Sequence, residues 1–377
     1  MKRFKARLLS ATLVAVMGIM GIAGCGATLD GTKIVATIEG EDVPLGVASL
    51  ALRYSQAQTD YYYKQLAAMY QGMGIGGQNW DEIAEGETKT NGERTKDDVM
   101  NRIKELYEVK SHAKEYGVEL EQAQKDKIVA AAKDFIANND KSLLARMGVT
   151  QEDVEKYLEL ETYYRDSYEP MIKDKEITVT DEEAAQSTVT YSFLSTNNLE
   201  AETAKQQMED LLAELKKEED IATFDMEAFT TEKDAGFMTT TTSFGNEEEA
   251  GTGLDEAVKE AARTLKDGEL YQEVIEGASG GGYFIVRMDK TNDPEATKTK
   301  KESLEKEKKQ EAFDEMVDKW VEEGDITVND KVWSEVTLIN KEAYTIKVPE
   351  EAATEEAPVE EMPIEVDPVE EPEVEVE

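Results

Sequence analysis

The chain has 377 residues, enough for two ordinary domains, and it carries 83 acidic against 42 basic residues, for a formal net charge of −41. This charge excludes nucleic acid as an expected partner, because binding nucleic acid depends on Lys and Arg that neutralise phosphates. The single cysteine and single histidine exclude an intramolecular disulfide and the usual zinc ligand sets. We therefore expect no metal and no cofactor.

The first 24 residues have the three parts of a bacterial export signal. Four Lys and Arg residues precede the apolar run Leu8–Ile22, and small residues then lead to Cys25. The run is shorter than the about 20 apolar residues of a bilayer-spanning helix, and its small-residue end is typical of a cleavage site. We predict a removable signal over residues 1–24. There are two alternatives. One is a signal peptide that is removed and followed by a cysteine without a role, and the other is an N-terminal helix that is not cleaved and anchors the chain.

The four residues Ile22-Ala23-Gly24-Cys25 resemble the lipobox of bacterial lipoproteins, whose cysteine receives a diacylglyceryl group and becomes the new N-terminus. The resemblance implies lipidation of Cys25, followed by a linker over residues 25–32. Each buried CH₂ contributes about 0.8 kcal/mol, so two acyl chains anchor a protein firmly where one is marginal. The expected location is extracytoplasmic, with a lipid anchor in the outer face of the bacterial cytoplasmic membrane.

Residues 33–175 are predicted to be mostly helical. A β-branched run at 33–38 favours a strand, a turn follows it, and Pro44 can open the first helix. Thr150 with Asp153 has the spacing of a capping box. The predicted helices after the strand are 45–69, 95–116, 120–138 and 150–171, with a loop at 71–90.

Residues 176–291 combine predicted strands with a helix, and the fold class of the whole chain is α+β. The strands are 177–180, 189–194 and 282–288, and the helix is 201–218. Residues 292–345 return to a long helix at 294–323, followed by short strands at 326–328 and 332–339. The tail 346–377 is rich in Pro and Glu, so we expect it to be disordered.

This layout resembles the PrsA-type foldase lipoproteins and the SurA-like chaperones. Ile34–Gly40 is similar to the opening strand and turn of that family, and Ile326–Lys331 is similar to its closing segment. The resemblance implies a helical, SurA-like chaperone domain built from residues 33–175 and 292–345. It also implies a parvulin-type peptidyl-prolyl isomerase domain over residues 176–291, and unfolded exported polypeptides as partners.

Parvulins carry a histidine in each of two strands, which correspond here to Thr190–Leu194 and Gly282–Arg287. In our alignment Ser192 and Phe284 stand at those positions. The only histidine of the chain, His112, lies in a predicted helix well before this domain. The resemblance therefore implies a degenerate isomerase domain with weak or absent activity. An active isomerase is one alternative, and a solute-binding lipoprotein, which usually needs two α/β lobes, is the other.

Two groups of aromatic and Met side chains are candidates for contact with unfolded clients, because Met adapts to irregular partners. Ordinary core packing is the alternative for each group. The first group is Phe193, Phe237, Met238, Phe244, Tyr283 and Phe284. The second group lies around a tyrosine triplet and includes Tyr62, Met69, Tyr70 and Met73.

Overall fold

The structure is a computed structural model that describes residues 19–21, 28–70, 77–233, 235–245, 253–278, 280–340 and 344–346. It divides into two compact units. The first takes its described residues from 1–175 and 311–357, and the second from 176–310. All strand pairs in the described part are antiparallel, and helices are the main element, so the predicted α+β class is confirmed. In the same part, no helix is long and apolar enough to span a membrane.

The first unit begins with short strands and continues with helices. The strands are β1 Ile19–Gly21, β2 Ile34–Ile38 and β3 Glu41–Pro44. The helices are α1 Leu45–Met69, α2 Asn91–Ala113, α3 Gln122–Asn138, α4 Lys141–Met147 and α5 Gln151–Ile172, with a 3₁₀ turn at Lys114–Tyr116.

The second unit alternates strands and helices. Its elements are β4 Gln186–Ser195, α6 Ala201–Leu215, α7 Met226–Glu232, β5 Met238–Gly245, α8 Glu256–Ala262, β6 Ile275–Glu276 and β7 Gly282–Lys290. The long helix α9, Pro294–Glu323, contributes residues up to 310 to this unit and the rest to the first unit. The first unit then closes with β8 Ile326–Val328, α10 Asp330–Trp333 and β9 Tyr344–Ile346.

Local capping signals explain where two helices begin. The predicted capping box of α5 is confirmed, because Thr150 and Asp153 each accept from the other's backbone N–H. Helix α2 begins four residues before its predicted start. Thr90 and Glu93 form a second capping box there, with N···O distances of 2.9 and 3.1 Å.

Two predicted strands are wrong. Residues 177–180 form no strand, because the backbone of Thr180 donates to Glu183 and the Glu183 N–H donates back, at 2.8 and 3.2 Å, which closes a turn. Residues 332–339 form no strand either. Val332 and Trp333 are the last residues of helix α10, and the Asn329 side chain caps this helix by accepting from the Val332 N–H at 3.3 Å.

The core of the first unit lies between the sheet β3-β2-β8 and the helices α1, α2 and α5. Leu45, Leu52 and Leu106 are fully buried there. The segment after α10 closes this core, and the Lys96 ammonium donates to the carbonyls of Trp333 and Val336 at 3.0 and 2.5 Å.

Strand β1 lies within the predicted signal and pairs with β9, with Met20 opposite Thr345. Apart from β1, the predicted signal lies outside the described residues. The same is true of Cys25 and of the tail beyond Ile346.

The second unit is a four-stranded sheet of order β5-β4-β7-β6 with a core on each face. On one face, Leu194 and Ile285 pack with residues of α6 and with Met226 of α7. On the other face, Val189 and Val286 pack with residues of α8. This alternation follows from the two-residue repeat of a strand, and it decides which side chains share a surface.

Candidate functional site

Three of the predicted client contacts lie in one row across the sheet of the second unit. Met238 of β5 is opposite Phe193 of β4, and Phe193 is opposite Phe284 of β7. Directly opposite residues point to the same face of a sheet, so these side chains form a continuous apolar row. We call Met238, Phe193, Phe284 and the adjacent Tyr191 the sheet row.

Ring contacts join the sheet row. The ring centroids of Phe193 and Phe284 are 4.6 Å apart at an interplanar angle of 32°, and those of Tyr191 and Phe284 are 5.9 Å apart. Tyr191 was not among the candidates predicted from the sequence. The two-residue step from Phe193 along β4 is the signal that could have found it.

The sheet row is partly open to solvent. Met238 is 66% exposed, and Tyr191, Phe193 and Phe284 are half-buried. Burial raises the pKa of Tyr191, so its hydroxyl stays neutral over the physiological range. The row is therefore an uncharged apolar strip that a second molecule can cover.

Two glycines leave room for the rings. A Cβ at Gly282 would lie 2.4 Å from the Phe193 ring, and a Cβ at Gly277 would lie 3.0 Å from the Phe284 ring. Asp255 holds the turn behind Phe284, because its carboxylate caps α8 at Ala257 and also accepts from the Ala278 N–H at 3.0 Å. The turn and the cap together position the Phe284 side of the row.

The two positions aligned with the parvulin histidines lie on opposite faces of the sheet. Ser192 is opposite Ile285 and is fully buried, and its hydroxyl shares a 2.8 Å hydrogen bond with Thr239. Phe284 is on the other face, where its cross-strand partner is Phe193. The facing pair across β4 and β7 at this point therefore consists of two phenylalanines.

The other three members of the first predicted group belong to the cores. Phe244 is 1% exposed, packs near α8 and lies 5.8 Å below the Arg263 guanidinium. Tyr283 and Phe237 pack on the opposite face with the α6 core. The structure thus brings Phe193, Met238 and Phe284 together in the partly exposed row, whereas Phe244 lies in the core on the same face and Tyr283 and Phe237 lie on the opposite face.

The second predicted group lies on the end of α1. No residue of this helix beyond Ala57 is buried, and Tyr62, Met69 and Tyr70 are 45%, 60% and 37% exposed. Met73 lies outside the described residues. These exposed side chains form a second apolar surface, in the first unit.

A buried carboxyl in the first unit was not predicted from the sequence. Glu108 of α2 is 1% exposed, and neither of its oxygens has a hydrogen-bond partner among the described residues. Burial, and then the charge of Glu39, raise the pKa of Glu108 to about 7. His112 lies one turn further along α2, with its Nε2 4.0 Å from Glu108, and its ring stacks on Trp320 with centroids 4.2 Å apart.

His112 has partners for its ring within the first unit. Its Nδ1 lies 3.2 Å from a Glu115 oxygen, and its ring is covered by Trp320. It belongs to the first unit, whereas the sheet row belongs to the second.

No protein-family model and no curated protein matches the chain. Solved structures do resemble it. A peptidylprolyl isomerase PrsA from Bacillus cereus has 16% identity and a TM-score of 0.27 over 68% of this chain and 97% of its own. A SurA-like chaperone from Campylobacter jejuni has 11% identity and a TM-score of 0.27 over 78% and 99%. The foldase protein PrsA from Streptococcus pneumoniae has 20% identity and a TM-score of 0.22 over 68% and 97%.

These neighbours are of the PrsA and SurA-like kinds that the sequence layout resembles. Because the identities and TM-scores are low, what this chain does must follow from its own residues.

Proposed function

We propose that this chain is a membrane-anchored extracytoplasmic chaperone that binds unfolded exported polypeptides on apolar surfaces and has weak or absent isomerase activity. The observation that carries the proposal is the sheet row, in which exposed Met238 continues into the half-buried rings of Phe193 and Phe284. Unfolded chains differ from folded ones in displaying apolar side chains, and such a strip is complementary to them.

The size of the row suits transient binding. Burying one large apolar side chain completely contributes about 1.5–3 kcal/mol, and the four side chains of the row are already partly buried. Ordering an unfolded segment opposes this gain. The net affinity is therefore modest, which lets a client leave and continue to fold.

The proposed location comes from the N-terminal sequence. A lipid anchor at Cys25 would hold the chain where exported polypeptides emerge and raise its local concentration there. The strong negative charge keeps the body of the protein away from anionic lipid, so contact with the membrane is assigned to the anchor.

Weak or absent isomerisation follows from the chemistry of the row. Rotation about a prolyl bond crosses a barrier of about 18–20 kcal/mol, and oriented polar groups are one means of lowering it. Phe193 and Phe284 offer none, and the only histidine of the sequence is in α2. An active isomerase would have to rely on the apolar surface alone.

Nothing in the described residues favours the solute-binding alternative. That class usually needs two lobes with parallel strands and alternating helices, whereas the described sheets are small and antiparallel.

The test is suppression of aggregation of reduced, unfolded lysozyme by the full chain, followed by light scattering. Met238→Ser should weaken client affinity about fivefold to tenfold, because it removes an exposed apolar contact. Ile83→Gln is the matched control, since Ile83 is 54% exposed and lies in the first unit outside both apolar surfaces. Equal losses in the two variants, or no suppression by the unaltered chain, would contradict the proposal.

A further inference from the structure

Strand β5 is an open edge of the sheet in the second unit. It pairs with β4 over eight consecutive residues, from Met238 opposite Phe193 to Gly245 opposite Gln186, without a register shift. In the part of the chain that the structure describes, its backbone pairs with no other strand. Alternate N–H and C=O groups of such a strand point outward and can bind an added strand.

Proteins usually protect an edge by keeping it short or by placing charge, proline or a bulge on it. The other described edges follow this rule. Strands β1, β8 and β9 have three residues each, β6 has two, and β3 carries Glu41, Asp42 and Pro44. Strand β5 has the sequence Met-Thr-Thr-Thr-Thr-Ser-Phe-Gly, with no charge, no proline and no bulge.

Hydroxyl pairs hold β5 against β4. Thr239 pairs with Ser192, Thr241 with Thr190 and Ser243 with Thr188, each through oxygens 2.8–2.9 Å apart. These bonds fix the register on one face of the sheet. The open edge is therefore already in the conformation that an added strand requires.

We propose that the edge of β5 receives an extended segment of an unfolded polypeptide as a fifth strand. This inference rests on the proposed function and states how the client is held. Met238 is at once the first residue of the edge and the exposed end of the sheet row. Every second side chain of an added strand would point to the face of the sheet row. Backbone pairing supplies affinity for any sequence, and the row selects segments with alternate apolar residues.

Charge argues for a client rather than a second copy of this chain. Two copies, each with a net charge of −41, repel one another, and the uncharged edge offers no compensating ion pair. An unfolded segment that is neutral or basic meets no such repulsion. The expected occupant is therefore an extended, uncharged or basic polypeptide segment with apolar residues at alternate positions.

The test uses the full chain and a fluorescent nine-residue peptide that alternates Val and Thr between terminal lysines. Binding is measured by fluorescence anisotropy, and amide hydrogen exchange is followed over residues 238–245. The peptide should bind and slow exchange in β5. Thr241→Lys, which places a charge on the edge away from the sheet row, should weaken binding about tenfold. Thr203→Lys, at an exposed position on α6, should leave it within twofold.

The possible outcomes separate this inference from the proposed function. Peptide binding without slower exchange in β5, or an equal effect of the two lysine variants, overturns strand addition and leaves the chaperone proposal standing. Suppression of lysozyme aggregation without peptide binding also overturns strand addition alone. Loss of both activities overturns both proposals. Slow exchange in β5 without peptide, together with a dimer in sedimentation, makes the occupant a second copy and overturns the client assignment.

Discussion

Phe193 and Phe284 face each other across β4 and β7 with ring centroids 4.6 Å apart. An aromatic pair of this kind contributes about 0.5–1.5 kcal/mol beyond the area that it buries. The pair also makes this part of the sheet apolar, because neither phenylalanine side chain carries a polar or titratable group. Both consequences favour binding over proton or hydrogen-bond chemistry at this site.

The first prediction concerns isomerase activity. The full chain should not measurably accelerate cis–trans isomerisation of a proline peptide at the concentrations that suppress aggregation, because the row lacks oriented polar groups. A protease-coupled or NMR exchange assay measures the rate. Clear acceleration at catalytic concentrations would show that the apolar surface suffices, and the alternative of an active isomerase would then hold.

The second prediction concerns Gly282, whose backbone lies against the Phe193 ring. Gly282→Ala places a Cβ 2.4 Å from both the Phe193 ring and the Leu194 carbonyl oxygen, so the ring and backbone must shift. We expect the free energy of unfolding to fall by about 1–3 kcal/mol in denaturant titration. Gly77→Ala is the control, since nothing lies within 4 Å of a Cβ there. A Gly282 variant as stable as this control would show that the Phe193 ring is not held in place.

The third prediction concerns the pH dependence of stability through Glu108. Burial raises the pKa of Glu108 from 4.5 to about 7. The stability that the folded protein gains from this neutral carboxyl is therefore fully present below pH 4.5 and is lost as the pH rises through 7. Glu39 adds repulsion, and His112 and Glu115 are the neighbouring titratable groups on α2 and the turn that follows it. Thermal unfolding between pH 5.5 and 8.5 measures the effect.

Glu108→Gln should remove much of the loss of stability at high pH, because the amide stays neutral at every pH. The expected difference in the free energy of unfolding is about 1–3 kcal/mol. The variant should be the more stable protein at pH 8.5. Glu115→Gln changes an exposed carboxyl that also contacts His112 and is the matched control. If the Glu108 variant keeps the full pH dependence, the buried carboxyl is not its source.

The fourth prediction concerns the anchor. Cys25→Ser should abolish labelling by fatty acid and move the protein from the membrane to the soluble fraction, because in the proposed anchor the acyl chains would supply the membrane binding. Fractionation of cells that express each form measures the change. A Ser variant that stays in the membrane would support the alternative of an uncleaved N-terminal helix.

Elements with strong local signals could be predicted from the sequence. The β-branched run identified β2, Pro44 marked the start of α1, and α9 spans the predicted Pro294–Glu323. Strand β5 was missed because four consecutive threonines carry no apolar alternation. Its strand conformation depends on pairing with β4 far away in the sequence, through bonds such as Thr241 to Thr190.

Three of the four residues of the sheet row could also be predicted, but Tyr191 and the geometry of the row could not. Phe193, Met238 and Phe284 were candidates from residue type alone, together with Phe244 and Tyr283. Which of them share an exposed face depends on strand register, and a shift of one residue would exchange the two faces. Glu108 gave no sequence signal, because an acidic residue on a charged helix is normally exposed.

The most direct test of client binding at the sheet row is site-specific photo-crosslinking. A photoreactive amino acid replaces Met238 in one protein and Ile83 in another, and each is illuminated with unfolded lysozyme. Both positions are exposed, so neither substitution should disturb the fold. Binding at the row predicts strong crosslinks from position 238 and few from position 83. Equal crosslinking from the two positions would contradict it.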